Sequence, residues 1–177
     1  MSRYRLTWTV LIALVWAAML SFGGVAAETV MLYPNIFGDA PASLERAREF
    51  LVAGGPHDYF PPLGASVVVL GLTATVLTWR DRRLRWWIVA AAAVFIACEF
   101  LFSVVFFWPR NQIMFVDPVG THSPAYLRQV AEEFVAGHWV RLAGGGVTAA
   151  LAFTALLLWT RLSAPLTAAA VRAEAAR

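Results

Sequence analysis

Lysine is absent from this chain of 177 residues, and all fourteen basic side chains are arginine. Charge of either sign is scarce. Charged residues make up 14% of the chain, where a soluble domain carries about a quarter. Cysteine occurs once, as Cys98, which excludes an intramolecular disulfide and a CxxC redox pair. Cys98 sits inside an apolar run and reads as a small packing side chain. Only three histidines occur, His57, His122 and His138. None lies deep in an apolar run, which excludes haem held between two intramembrane histidines. No Glu-x-x-His or His-x-x-x-His pair is present, so a metal carried between helices has no support from spacing, and no metal or other cofactor is assigned. The net charge of +3 does not imply nucleic acid as a partner, because no basic cluster falls on a foldable polar surface.

What the chain has instead is hydrocarbon. Hydrophobic residues make up 60% of it and the mean hydropathy is +0.65. So much apolar surface needs a non-aqueous solvent, and the bilayer is the partner it demands. The pattern predicts an all-α integral membrane four-helix bundle in a single domain, residues 1–162. Its spans fall at about 6–26, 63–79, 86–108 and 139–159, each close to the length needed to cross about 30 Å of hydrocarbon. Residues 163–177 read as a polar, Ala-rich tail, frayed or without order. Val25-Ala26-Ala27 resembles a signal cleavage site. The first run is longer than a signal core and carries Trp8 and Trp16, so it is read as an uncleaved span.

Arginine sets the expected orientation. Arg3, Arg5, the four arginines of the 80–85 turn, and Arg161, Arg172 and Arg177 belong to one side. Arg46, Arg48, Arg110, Arg128 and Arg141 belong to the other, spread over longer connections. Both termini are then cytoplasmic and two long connections face outward. The Arg-only, Ala-rich composition suggests a GC-rich bacterial genome, and so a multi-pass protein of a bacterial inner membrane. Nothing in the sequence sets the oligomeric state, and a homo-oligomer is compatible with it.

The outer connections carry further signals. Tyr33-Pro34-Asn35 reads as a turn. Residues 41–53 predict a short amphipathic helix capped by Ser43, with Leu44, Ala47 and Leu51 on one face. It either lies on the membrane surface as a lid or is a plain solvated helix. Ser123-Pro124 marks a helix start that leads into the fourth span, with His122 solvated in the turn before it. Gly144-Gly145-Gly146 weakens the helix but lets its neighbours come close.

One residue stands out. Glu99 lies inside the third span, where a carboxylate is costly and marks a functional site by default. It lies about 20 Å along that helix from Trp86 at 1.5 Å per residue, in the outer half. Glu28, His57, Asn111, His138 and Arg141 belong to the same half, as does Arg110, three turns beyond Glu99 on a similar face. Every helix therefore contributes polar groups to the outer half of the bundle, and none to the inner half. Two readings of Glu99 stand side by side. It is a candidate base in a site, or a structural carboxylate paired to Arg141 or bonded to Thr73 or Thr75. Aromatic walls from Tyr33, Tyr59, Phe106, Phe107, Trp108 and Phe115 suit a lipophilic aromatic or quinone-like ligand, or they form an ordinary interfacial belt.

The pattern of four short spans resembles a known family. Tyr33-Pro34-Asn35 follows Glu28, Pro61-Pro62-Leu63 opens the second span, Pro109-Arg110-Asn111 closes the third, and His138-Trp139-Val140-Arg141 opens the fourth. These motifs, across about residues 6–160, are similar to those of the anthrone oxygenase-like family of small membrane proteins, most of them of unknown function. The resemblance implies a four-helix membrane bundle. For the few members with an assigned activity it implies cofactor-free oxidation of an anthrone to an anthraquinone. It carries Asn111, His138 and Arg141 over as groups that bind or polarise a substrate oxygen, with Trp139 beside them. Glu99 as base, with His138 also in a catalytic role, and Glu28 as a substrate contact come from the residues themselves. The alternative is a non-catalytic membrane binder or an accessory subunit of a larger complex.

Overall fold

The computed structural model describes the backbone of residues 3–175 and the side chains of residues 3–163. Five helices account for nearly all of it: α1 (Arg3–Phe37), α2 (Ala42–Phe50), α3 (Pro56–Leu77), α4 (Arg82–Val116) and α5 (Pro124–Ala175). No strand occurs among the described residues. Helices α1, α3, α4 and α5 are each long and apolar enough to cross a membrane. Helix α5 continues to Ala175, through most of the stretch read as a tail, and residues 176–177 lie outside the described backbone.

The four long helices run up and down. At the arginine-rich end, Arg3 Nη2 donates to the Leu77 carbonyl at 2.8 Å, and the Tyr4 and Trp159 rings stack 5.8 Å apart. The start of α1 thus meets the end of α3 and the late part of α5. The Asp81 carboxylate caps α4 by accepting from the amides of Arg83 and Leu84. A first core fills this end, built on Leu11, Leu14, Val67, Leu84, Ile88 and Ala152. A second core fills the opposite end, around Tyr33, Phe37, Leu44, Phe107, Met114 and Phe134.

The helices are longer than hydropathy alone predicts. The expected turn at Tyr33-Pro34-Asn35 is helical, and α1 ends only at Phe37. Pro109-Arg110-Asn111 does not close the third span, because α4 continues to Val116. His57 and Asp58 lie in the first turn of α3, and Pro61 and Pro62 lie inside that helix. Proline removes an amide and crowds the carbonyl four residues back. Near Pro34 and Pro109 the chain meets this with wide π-type turns, at Glu28–Leu32 and Ser103–Phe107. Two further wide turns occur at Ile96–Leu101 and Gln112–Val116. Such turns are rare and gather at functional sites. Glu28 opens one and Glu99 lies in another.

The predicted loop helix forms as α2 and is not a solvated one: Leu44 and Ala47 are buried in the second core. Ser43 does not cap it. Pro41 precedes the helix, and the Ser43 hydroxyl accepts from the Asp39 amide instead. Arginines fasten α2 and its neighbours to the bundle. Arg48 donates to the carbonyls of Met114 and Asp117, capping the end of α4, and Arg128 donates to the Ala40 carbonyl. At the start of α5, the Ser123 hydroxyl accepts from the Tyr126 amide, as expected of a cap. His122 is not free in solvent. Its Nε2 lies 2.7 Å from Asp117 Oδ2, and this pairing, with a hydrogen bond from Gln112, holds the Asp117 carboxyl below the usual carboxylate range.

Candidate functional site

Between the two cores lies a cavity of about 630 Å³. Its position follows from helix α3. That helix packs along the first half of α4 and loses contact with it beyond Leu101. The two helices diverge, and the gap is lined by Phe60, Gly64, Val69, Phe95, Phe100 and Trp108. Val69, Phe100 and Trp108 are also exposed on the outside of the bundle, so the cavity opens sideways between α3 and α4. Tyr33 of α1 and Phe134 and Arg141 of α5 form the deep wall.

At that wall sits an ion pair. Arg141 Nε donates to Glu99 Oε2 at 2.7 Å, with the Glu99 side chain 3% exposed and that of Arg141 13%. The guanidinium lies over two aromatic rings, 4.8 Å from the Phe60 centroid and 5.7 Å from that of Phe107. Such stacking suits arginine and would not suit lysine. Glu99 Oε1 is buried without a hydrogen bond. A Cβ placed on Gly145 would come within 2.9 Å of that oxygen, so a side chain there would have to push the carboxylate aside. One residue earlier in α4, Cys98 packs against Gly144 in the same way. The close approach predicted for the glycine run is therefore real, and what it admits is the buried carboxylate.

Glu28 stands behind Tyr33. It is buried, and neither carboxylate oxygen makes a hydrogen bond of ordinary geometry; the Tyr33 hydroxyl and the Arg141 guanidinium are the polar groups that face it. Glu99 alone is paired with the arginine, and Glu28 lies near it but beyond ion-pair distance. His138 is fully buried beside them. Thr29 donates its hydroxyl proton to the Val25 carbonyl, so it can only accept from His138 Nδ1, 3.2 Å away. That fixes the proton of a neutral ring on Nδ1 and leaves Nε2 as a buried lone pair with no partner. Three rings enclose the imidazole: Tyr33, Phe107 and Phe134, with centroids 4.4, 4.9 and 5.4 Å away.

Of the residues singled out in the sequence, Glu99, Arg141 and Asn111 line the cavity, and His57 stands at its rim. His138 and Glu28 lie behind the lining. Trp139 is 55% exposed on the outer surface of α5 and does not face the cavity. Arg110 turns away from Glu99 and pairs with Glu133 of α5 at 2.6 Å. Wide turns lie between Glu99 and Arg110, so a spacing computed at 3.6 residues per turn brings the wrong side round. Thr73 and Thr75 bond to carbonyls of their own helix and not to Glu99. Among the expected aromatic walls, Tyr33, Phe107 and Trp108 line the cavity, while Phe106, Phe115 and Tyr59 do not. Phe60, Ser103 and Phe134 join the site without having been singled out for it. The Pro61-Pro62 pair hid Phe60, because it read as the way into a helix and lies within one. Among the described residues, no group of three or more metal-ligating side chains converges.

In comparisons with family models, curated proteins and solved structures, nothing matched this chain.

Proposed function

We propose that this is a multi-pass protein of a bacterial cell membrane, with both termini in the cytoplasm, that binds a lipophilic aromatic or quinone-like molecule in the cavity between α3 and α4. One observation carries the reading: a largely apolar, sideways-opening cavity of about 630 Å³ ends on an arginine that lies over two aromatic rings. Ligand pockets of this kind are apolar with a few placed polar groups. Arg141 and Asn111 are the groups to bind a carbonyl oxygen, and Tyr33, Phe60 and Phe107 the surfaces for a ring. The arginine-rich end, with Arg3, Arg5 and the 80–85 turn, supports the cytoplasmic assignment.

The catalytic form of the proposal is the cofactor-free oxidation implied by the resemblance. A base takes a proton from the acidic methylene of an anthrone, the carbanion adds O₂, and the resulting hydroperoxide gives up water to leave the quinone carbonyl. One substrate and one O₂ yield one quinone and one water. Glu99 is the carboxylate nearest such a substrate, and Arg141 stabilises the developing oxyanion. A specific observation favours the non-catalytic alternative. Glu99 is already committed to Arg141 through Oε2 and its Oε1 is buried beside Gly145, and His138 is walled off by three rings.

Purified protein in detergent, incubated aerobically with an anthrone, separates the two. Oxygen uptake that is lost in Glu99→Gln and in Arg141→Gln supports catalysis. Binding of the anthrone without oxygen uptake supports a binder or accessory subunit. Absence of both binding and uptake removes the proposal.

A further inference from the structure

We infer that the natural occupant is a ring-headed lipid with an uncharged head and a long hydrocarbon tail, its head seated against Arg141 and its tail leaving between α3 and α4 into the bilayer. The inference rests on the binding function proposed above and names the class of ligand. Three features of the cavity lead to it.

The first is charge. Among the described residues that line the cavity, Arg141 is the one arginine, and it is already engaged. Glu99 takes its Nε, and Glu28 faces it from behind. An anionic head, such as a carboxylate or phosphate, would meet two buried acids for one guanidinium. An uncharged carbonyl or phenol head accepts a hydrogen bond from Arg141 and adds no charge.

The second is shape. The wall is continuous from Arg141 and Phe107 out to Phe100, Trp108 and Val69, which are exposed side chains on the flank of the bundle. The opening therefore faces the surface that meets hydrocarbon. A cavity of about 630 Å³ takes a ring head, and its open flank lets a tail run out into the bilayer. A tail that stays in lipid gains and loses little, because lipid is as apolar as the protein wall.

The third is the space at Gly64. Gly64 lines the cavity on α3, and a Cβ placed there would meet only the Phe95 ring, at 3.7 Å. There is space for a side chain and none is present. The gap that Gly64 leaves beside the buried Phe95 ring is part of the cavity.

The test uses the full chain reconstituted in phosphatidylcholine nanodiscs. A radiolabelled benzoquinone with a five-carbon tail is displaced by three probes: the same head with an isoprenoid tail of about forty carbons, the same head without a tail, and a benzoate carrying the five-carbon tail. Affinities are expressed as mole fraction in the bilayer. The inference predicts that the long-tailed quinone binds within about threefold of the short-tailed one, and the benzoate at least tenfold more weakly. Gly64→Phe should weaken both tailed quinones at least tenfold at an unchanged melting temperature, and Val76→Ala, on the exposed face of α3 and off the cavity, should leave them unchanged. Loss of binding on lengthening the tail would mean a cavity closed to the bilayer. Tight binding of the benzoate would overturn the uncharged head. Either result leaves the proposed binding function standing. Failure of every quinone to bind, tailless included, removes the function and the inference together.

Discussion

At the residue scale the molecule turns on one ion pair. Glu99 and Arg141 are buried together, and removing one partner strands the other in an apolar interior, at a cost of about 3–5 kcal/mol. Arg141→Met should therefore lower the melting temperature sharply in detergent. The double variant Glu99→Leu with Arg141→Met should recover most of that loss, because both charges go together; a double variant no more stable than the single would contradict a paired role. Gly145→Val tests the same carboxylate from the other side. A side chain there meets Glu99 Oε1, and overpacking of this kind costs about 1–3 kcal/mol. Thermal denaturation should show a clear loss for Gly145→Val and a smaller one for Gly146→Ala, whose nearest neighbour is the edge of the Phe22 ring. The pair itself was legible in the sequence as one of two readings of Glu99, because a carboxylate in a greasy helix requires a partner and few cations were within reach. The enclosure of His138 was not legible. It depends on Tyr33, which looked like part of a turn, and a residue placed in a turn cannot be expected to stack on a helix.

At the element scale the α2 helix and the 117–123 connection close the end of the bundle opposite the arginine-rich one. Arg48 caps the carbonyls that α4 leaves unpaired, and hydrogen bonds from a charged donor contribute about 1.5–3 kcal/mol each. Arg48→Ala should leave the four long helices intact and speed limited proteolysis at Gly54-Gly55, just past α2. Unchanged cleavage would mean that burial of Leu44 and Ala47 alone holds α2 down. Acid acts on the neighbouring connection. Asp117 has a depressed pKa in the folded chain, so its contribution is present above the ordinary carboxylate pKa and is lost as pH falls through the lower folded value. Amide exchange in residues 117–123 should stay slow at pH 5 and quicken only below about pH 4. Quickening above pH 5 would point to a different group. Helix ends were the least legible part of the fold. Pro34, Pro61, Pro62 and Pro109 all read as breakers, and all four lie within helices. The apolar runs were correct as far as they went. What they could not reveal were the wide turns that let a helix carry on near a proline.

At the scale of the whole molecule, two cores with a cavity between them define the protein. The four long helices, their order and the polar character of one half were legible, because hydropathy and charge are sums over many residues and survive errors in any one. The cavity was not, because it arises where α3 leaves α4, and a crossing of two helices has no signature in either sequence alone. Topology has a direct check. With Cys98 replaced by Ala, a single cysteine at residue 83 should be shielded from a membrane-impermeant thiol reagent in intact cells, and one at Gly120 should react. The reverse pattern would invert the orientation.

The central claim is that the cavity between α3 and α4 receives a ring-bearing lipophilic molecule at Arg141. Its most direct test is photo-crosslinking of membranes with an azido-benzoquinone, followed by mass-spectrometric mapping of the labelled peptides. The account predicts labels on Phe60 to Val69 of α3 and on Phe100 to Trp108 of α4, suppressed by unlabelled quinone and much reduced in Arg141→Gln. Labelling spread over the outward faces of α1 and α5, and unaffected by competitor, would contradict it.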